Sequence, residues 1–339
     1  VPELSDEELT RFGVEPADEG PHAFDPEVEW WNESWFWDWF DAEGRVAGHC
    51  RVGLHPNQDR LWIWFFAWRA GEWIALEEPR LPLAALQRNG GLAYEGWGLR
   101  FAWTPQEPLR RGRFELRGFG RVLTGPRAGM VLPVGADLRV EALGPPHSLG
   151  RATAAGHSSE RYPASRFEQP IAARGRLRQG DAEMDFEGRG ERDHSWGPRH
   201  WNLEWTFLVL NGERLRLQCA EAFVPDVGRF PGGYLLRDET RTLREVSYDL
   251  AIDPDDVLHP VSGHFAVEAE EGDGFGGRIE CLTATEIDIT HTFIPPQRSL
   301  YRRALVRVHP DDGGEPLLGW LELNRLAEPG VSPQRGDAS

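Results

Sequence analysis

Short apolar and β-branched runs, each closed by a Gly, Asn or Asp turn, recur along most of this 339-residue chain. No helical periodicity of comparable length interrupts them. Leu61–Trp68 is rich in aromatic and β-branched residues, and Arg113–Phe119 alternates apolar with polar. Asn211-Gly212 stands as a hairpin turn between runs at Leu203–Leu210 and Glu213–Phe223, and Gln179-Gly-Asp181 separates Ala173–Arg178 from Ala182–Gly190. Further runs lie at Gly233–Arg237, Arg244–Ile252, Gly263–Glu268, Gly277–Glu286, Leu300–Val308 and Leu318–Leu326. Strands at this spacing, without interleaved helices, predict an all-β chain of sandwiches or antiparallel barrels and exclude a parallel sheet. Two short helices are expected. One follows the capping box Ser5-Asp-Glu-Glu8 and ends near Gly13; the other covers Pro82–Arg88 and stops at Asn89-Gly-Gly91.

The length predicts two domains. Pro145–Pro163 is polar, aperiodic and rich in Gly, Ser and Ala, so it is the expected linker. A helical extension over 1–19 is then followed by β domains over 20–150 and 160–330, and Glu328–Ser339 reads as a disordered tail.

Composition removes several functions. All 37 basic residues are arginine, as a GC-rich bacterial genome would encode. Without lysine there is no Schiff base, no pyridoxal-phosphate anchor and no phosphate-cradling P-loop. The net charge of −18 repels nucleic acids and anionic membrane surfaces. Cys50, Cys219 and Cys281 lie far apart in strand-like runs and read as small buried apolar residues. No charged-then-apolar leader opens the chain and no apolar run is long enough to span a bilayer, so a soluble cytoplasmic protein is expected. Gly272-Asp-Gly-Phe-Gly-Gly277 lacks a following helix and reads as a hairpin turn rather than a nucleotide loop.

Two segments concentrate chemistry. Glu29–Phe40 holds five tryptophans and three carboxylates. On a strand, Trp31, Glu33, Trp35, Trp37 and Trp39 share one face, while Asn32, Ser34, Phe36, Asp38 and Phe40 share the other, so an acid accompanies aromatics on whichever face turns inward. The second segment, Gly188–Trp201, carries Arg192, Asp193, His194, Ser195, Trp196, Arg199, His200 and Trp201 between glycines. Core packing is the plain reading of the tryptophans, with Trp196 as a plug and Arg192 paired to a carboxylate such as Glu221. The functional reading is an aromatic-lined pocket containing a general acid. Asp193, His194, Glu33 and Asp38 are the candidate catalytic groups, and Trp31, Trp35, Trp37, Trp64, Trp196 and Trp201 the candidate substrate-binding ones. His194 and His200 fit no standard zinc spacing, so neither a metal nor an organic cofactor is expected. Ser34 and Ser195 lack a nucleophile elbow.

These residues resemble the carotenoid 1,2-hydratase/AttH-like superfamily. Glu29-Trp30-Trp31 is similar to its Glu-Trp-Trp-Tyr motif, with Asn32 where tyrosine is usual. Gly188-x-Gly190 followed by Asp193-His-Ser-Trp-Gly197 resembles its Gly…Asp-His-x-Trp-Gly motif, and Gly319-Trp-Leu-Glu322 its closing strand. The resemblance spans roughly residues 20–326 and implies two lipocalin-like antiparallel β-barrels packed together. It also implies action on bulky apolar molecules by hydration, cyclisation or Diels–Alder-type ring closure, with Asp193 as the acid that protonates an alkene.

The expected function is therefore cofactor-independent acid/base chemistry on a small apolar, terpenoid- or polyene-like substrate. Asp193 would donate the proton, His194 would orient it, and Glu33 or Asp38 would serve as second acid or base. A non-catalytic carrier would instead show an apolar cavity without ionisable groups. A carbohydrate-active protein would show two carboxylates facing each other across a groove.

Overall fold

The computed structural model describes residues 3–148, 165–198, 204–224, 228–253, 256–289 and 299–326. The expected tail at 328–339 and most of the expected linker lie outside them. The chain divides into two compact units, Val1–Arg199 and His200–Ser339.

The first unit runs through β1 (Trp31–Phe40), β2 (Val46–His55), β3 (Arg60–Arg69), β4 (Glu72–Pro82), β5 (Leu92–Gly96), β6 (Leu99–Glu107), β7 (Arg111–Val122), β8 (Val131–Ala142), β9 (His147–Ser148), β10 (Ser165–Gln179) and β11 (Ala182–Pro198). Antiparallel pairing follows the order β4-β3-β2-β1-β11-β10-β8-β7-β6-β5, and β9 pairs with β10. Ile74 and Ala75 of β4 also pair with Val122 and Arg121 of β7, which closes the sheet on itself. The β5–β6 hairpin hangs off this ring.

The alternation of β7 shows how the ring acquires an apolar interior. Its buried positions are Gly112, Phe114, Leu116, Gly118, Gly120 and Val122, and most intervening residues are exposed. Gly112 leaves room for an indole: a Cβ there would lie 2.4 Å from the Trp103 ring. The interior is packed by Trp35, Trp37, Trp39, Phe65, Phe101 and Phe114 among others. In β1 every residue after Trp31 is buried, so both of its faces are covered.

Residues 3–22 seal one end of this ring. The predicted capping box forms at Ser5 and Glu8, and the helix α1 spans Asp6–Thr10. Leu4, Leu9 and Val14 pack on Leu109, Ala142 and Phe167. A 3₁₀ turn at Pro16–Glu19 then drives the Glu19 carboxylate inward. Its oxygens accept from Arg192 Nη1 and Nη2 at 2.7 and 2.9 Å, from Trp103 Nε1 at 3.2 Å and from the Leu109 N–H at 2.8 Å. Burial works to raise this carboxyl, but the Arg192 charge and hydrogen bonds outweigh it and hold Glu19 below its usual range. Arg192 thus takes Glu19 as its carboxylate, not Glu221. The second expected helix is only a 3₁₀ turn, Leu83–Ala85, because the chain returns to extended conformation at Leu86 and bridges Gln87 to Ala93.

The second unit contains β12 (Glu204–Asn211), β13 (Arg216–Val224), β14 (Gly228–Leu236), β15 (Thr240–Asp253), β16 (Asp256–Ala269), β17 (Gly274–Asp288), β18 (Ser299–Pro310) and β19 (Leu317–Leu326). Each strand pairs with its successor and β19 returns to β12, forming a closed barrel. Leu208, Leu210, Phe265, Val306 and Leu321 belong to its core. The chain is all-β with barrel-like units, as the turn spacing predicts.

The division between units differs from the expected one. β10 and β11, assigned from sequence to the second domain, belong to the first sheet. β11 pairs with β1 from Trp31↔Pro198 to Phe40↔Arg189, and β10 pairs with β8 from Ile171↔Ala142 to Gln179↔Val134. The polar stretch after residue 148 therefore lies between strands of one sheet, and the chain passes to the second unit after Arg199.

Candidate active site

Antiparallel pairing of β1 with β11 places Glu33 opposite Trp196, Trp35 opposite His194 and Trp37 opposite Arg192. Directly opposed residues share a face, so Glu33 and His194 meet on the core side of the sheet. The Glu33 carboxylate is 2% exposed and His194 is 1% exposed. His194 Nε2 lies 3.1 Å from Glu33 Oε1, and His194 Nδ1 lies 2.7 Å from the Asp18 carbonyl oxygen. A carbonyl only accepts, so Nδ1 carries a hydrogen. The contact between Nε2 and Oε1 is attractive only if one proton lies between them.

His22, delivered by the N-terminal segment, completes the group. Its backbone N–H donates to Glu33 Oε1 at 2.9 Å, and its Nδ1 lies 2.8 Å from the same oxygen. Its Nε2 lies 3.4 Å from Asp18 Oδ1. Burial pushes the Glu33 carboxyl up, but the hydrogen bonds from His194 and His22 prevail and hold it below the usual carboxylate range. Aromatic faces enclose the cluster. Trp35 stacks on His194 with centroids 4.2 Å apart, and Trp196 stacks on His22 at 3.9 Å. Phe167 meets His194 edge-on at 5.9 Å. His22 and Trp196 are only half-buried, so the cluster opens to solvent on their side.

The donor atoms of His22, Glu33 and His194 lie within 4.8 Å of one another and could hold a metal ion. In the geometry present, Oε1 accepts from the His22 backbone N–H and lies within hydrogen-bond distance of a nitrogen of each ring, so an ion would take the place of the ring contacts.

The other sequence candidates lie elsewhere. Asp193 sits opposite Phe36 on β1, one residue out of step with His194, and so faces away from Glu33. Its Oδ2 accepts from Arg166 Nη2 at 3.0 Å, and Arg166 also bonds the buried Glu168. Asp38 shares that far face, where its Oδ1 accepts the Glu191 N–H at 2.7 Å. Ser34 and Ser195 hydrogen-bond each other there at 3.0 Å. Trp64 is on the far face too, against the Arg51 guanidinium, which also covers Trp62 and donates to Asn32 Oδ1 at 3.0 Å. Trp37 packs in the core against Trp103 and Phe114 with centroids 5.1 and 5.3 Å away. Trp31 starts β1, half-buried opposite Pro198. Trp201 and His200 lie outside the described residues.

The structure therefore joins Glu33, His194, Trp35 and Trp196 and separates them from Asp193, Asp38, Trp37 and Trp64. His22, Asp18 and Glu19 escaped the sequence reading. Gly20-Pro21-His22 marks a loop, but nothing in a spacing of eleven residues announces contact with Glu33.

No helix among the described residues is long and apolar enough to cross a membrane. The overall structure is similar to that of CghA, with a TM-score of 0.53 and 12% identity over 91% of this chain and 94% of that one. CghA with Sch210972 also gives a TM-score of 0.53 at 12% identity, covering 94% of this chain and 96% of that one. Kievitone hydratase from Nectria haematococca gives 0.50 at 10% identity, covering 94% of each chain. At such identities the likeness is one of fold. No curated protein matches the sequence. Residues 15–327 match the family model of DUF7064, a domain of unknown function, and the chain belongs to that family.

Proposed function

We propose that the protein is a cofactor-independent enzyme that moves protons on an apolar, unsaturated substrate, with Glu33 and His194 as the proton-transfer pair. The carrying observation is a buried carboxylate that meets two imidazoles between tryptophan faces. The pair holds one proton that it can give to an alkene carbon. The resulting cation either takes up water, whose extra proton returns to the pair, or loses a neighbouring proton to it. The first course is hydration and the second isomerisation; capture of the cation by a second double bond gives cyclisation. Trp196, the half-buried ring of the two tryptophans, would border a positive charge developing beside the pair, a contact worth about 0.5–2 kcal/mol. The fold shared with kievitone hydratase, a hydratase by name, agrees with this class.

The charged cluster argues against a plain apolar carrier. The carbohydrate reading needs two carboxylates across one groove, whereas Glu33 faces away from both Asp193 and Asp38.

The test is incubation with terpenoid and polyene candidates in deuterium oxide, followed by mass spectrometry. Deuterium on carbon, or the mass of one added water, is expected. Glu33→Gln should lower turnover by about 10² or more, as loss of general acid–base catalysis does, while substrate-induced quenching of tryptophan fluorescence persists. Undiminished turnover in Glu33→Gln would refute the assignment. A stoichiometric transition metal that disappears in the same variant would replace proton transfer with metal chemistry.

A further inference from the structure

The β5–β6 hairpin turns on two residues, Trp97 and Gly98, both left-handed with φ of 53° and 76°. Such a turn favours Asn-Gly, and a bulky aromatic in its first position is disfavoured. Trp97 is nevertheless there, 71% exposed. The chain thus carries both a conformational and a solvation cost at this tip. A side-chain carbon on Gly98 would lie 3.9 Å from the Phe119 ring, which places the tip beside a second exposed aromatic. Phe119 is 61% exposed and pairs with Pro133; Val131 and Met130, 57% and 50% exposed, follow at the same end of β7 and β8. An aromatic and aliphatic patch of this kind on a soluble surface marks an interaction site.

Arginines border the patch. A cleft of about 760 Å³ beside it is lined by Gly96, Gly98, Phe119 and Pro133 together with Arg100, Arg117, Arg176 and Arg178. Three acids share that cleft: Asp137 is engaged by Arg113 at 2.9 and 2.8 Å, Glu183 lies 3.9 Å from Arg178, and Glu95 stands opposite Arg100 across the hairpin, while Arg176 lies 3.7 Å from Asp185. Arg117 lies opposite Arg100 on the neighbouring strand and, behind the Arg113 hydrogen bonds, helps hold the Asp137 carboxyl below its usual range. Arg121 adds a further cation opposite Val131. With Arg121, five arginines thus stand among Glu95, Asp137, Glu183 and Asp185, a small positive excess on a chain of net charge −18.

We propose that this corner docks on the surface of a bilayer containing anionic phospholipid. Trp97 and Phe119 would lie at the headgroup level, where amphipathic rings partition, and Arg100, Arg117 and Arg121 would meet phosphates. The overall negative charge does not forbid this. Screening over about 8 Å at physiological ionic strength leaves the approaching face to decide the interaction. The inference rests on the patch alone and does not require the proton-transfer reading.

The experiment is co-sedimentation of the full chain with phosphatidylcholine vesicles and with vesicles of phosphatidylcholine mixed with phosphatidylglycerol, at low and physiological salt. Binding to the mixed vesicles, weakened by salt, is expected. Arg100→Gln/Arg117→Gln should reduce the partition coefficient by roughly tenfold or more. Trp97→Asn should reduce it comparably and should not lower the melting temperature, because asparagine suits the left-handed turn. Failure to bind mixed vesicles, equal binding to neutral ones, or unchanged partition in these variants would overturn the proposal. So would a dimer in sedimentation velocity that Trp97→Asn abolishes, since the patch would then belong to a second copy of the chain.

Discussion

Glu19→Gln removes a charge from a pair whose members are 5% and 6% exposed. The side chain keeps its size, but the glutamine has one acceptor oxygen, so it can accept from the Leu109 N–H or from Trp103 Nε1 and not from both, because these donors reach different oxygens of Glu19. What remains is the Arg192 guanidinium, buried beside Trp103 and Phe167 with only Gln169 Oε1 to receive it. Removing one member of a buried pair costs about 3–5 kcal/mol. For a unit of this size that lowers the melting temperature by about 2–4 °C per kcal/mol, hence by roughly 6–20 °C. Tryptophan fluorescence reports the transition, because Trp35, Trp37 and Trp103 surround the pair. The pH dependence has a defined sign. Glu19 titrates below its ordinary value in the fold, so its contribution is complete above the unfolded carboxyl value of about 4.3 and is lost as pH falls through the lower folded value. Wild type and Glu19→Gln should therefore differ most near neutrality and converge in strong acid. Glu19→Gln/Arg192→Met, which removes both charges, should recover most of the loss. A Glu19→Gln protein within about 1 kcal/mol of wild type at pH 7 would refute the view that this pair seals the ring.

Asp193→Asn and Glu33→Gln should separate in turnover: the first should lower the melting temperature through its Arg166 partner and spare turnover, whereas the second should lower turnover in addition to any cost in stability from its buried partners. A large loss of turnover in Asp193→Asn would restore Asp193 as the acid. Trp37→Ala should destabilise the first unit by about 3–5 kcal/mol in urea unfolding, as deletion of a buried indole does, without selectively affecting ligand binding. Burial pushes His147 down to about 4, so it is neutral in the fold. Its contribution is intact above the unfolded value of about 6.5 and is lost as pH falls from there toward 4. His147→Phe should flatten stability across that window, and an unchanged pH profile would remove His147 as its source.

The strand content was legible because β-rich runs end at turn residues, and each run read from sequence overlaps an observed strand, with some ends displaced, as at Glu213–Phe223 against Arg216–Val224. The shared face of Glu33, Trp35 and Trp37 followed from the two-residue period alone. Partnership was not legible. On paper Asp193 is the acid and His194 the residue that orients it, and only the register of β11 against β1 turns His194 toward Glu33 and Asp193 toward Arg166. His22 and Glu19 reach the cluster through tertiary docking of the N-terminal segment, to which no local spacing corresponds. The expected boundary near residue 150 rested on composition, whereas the real division depends on long-range pairing of β10 and β11.

That pairing bears on how the chain emerges during synthesis. When residue 142 has appeared, β1 and β8 each still present an unsatisfied edge, because β11 and β10 are their partners. The ring cannot close until Pro198 is out, more than fifty residues later. In the interval the nascent chain carries two open strand edges flanking a tryptophan-rich sheet, the configuration most prone to mispairing with a neighbouring chain. A polypeptide ended near residue 150 would be trapped there and should collect in inclusion bodies, whereas one ended after Arg199 holds every strand of its ring.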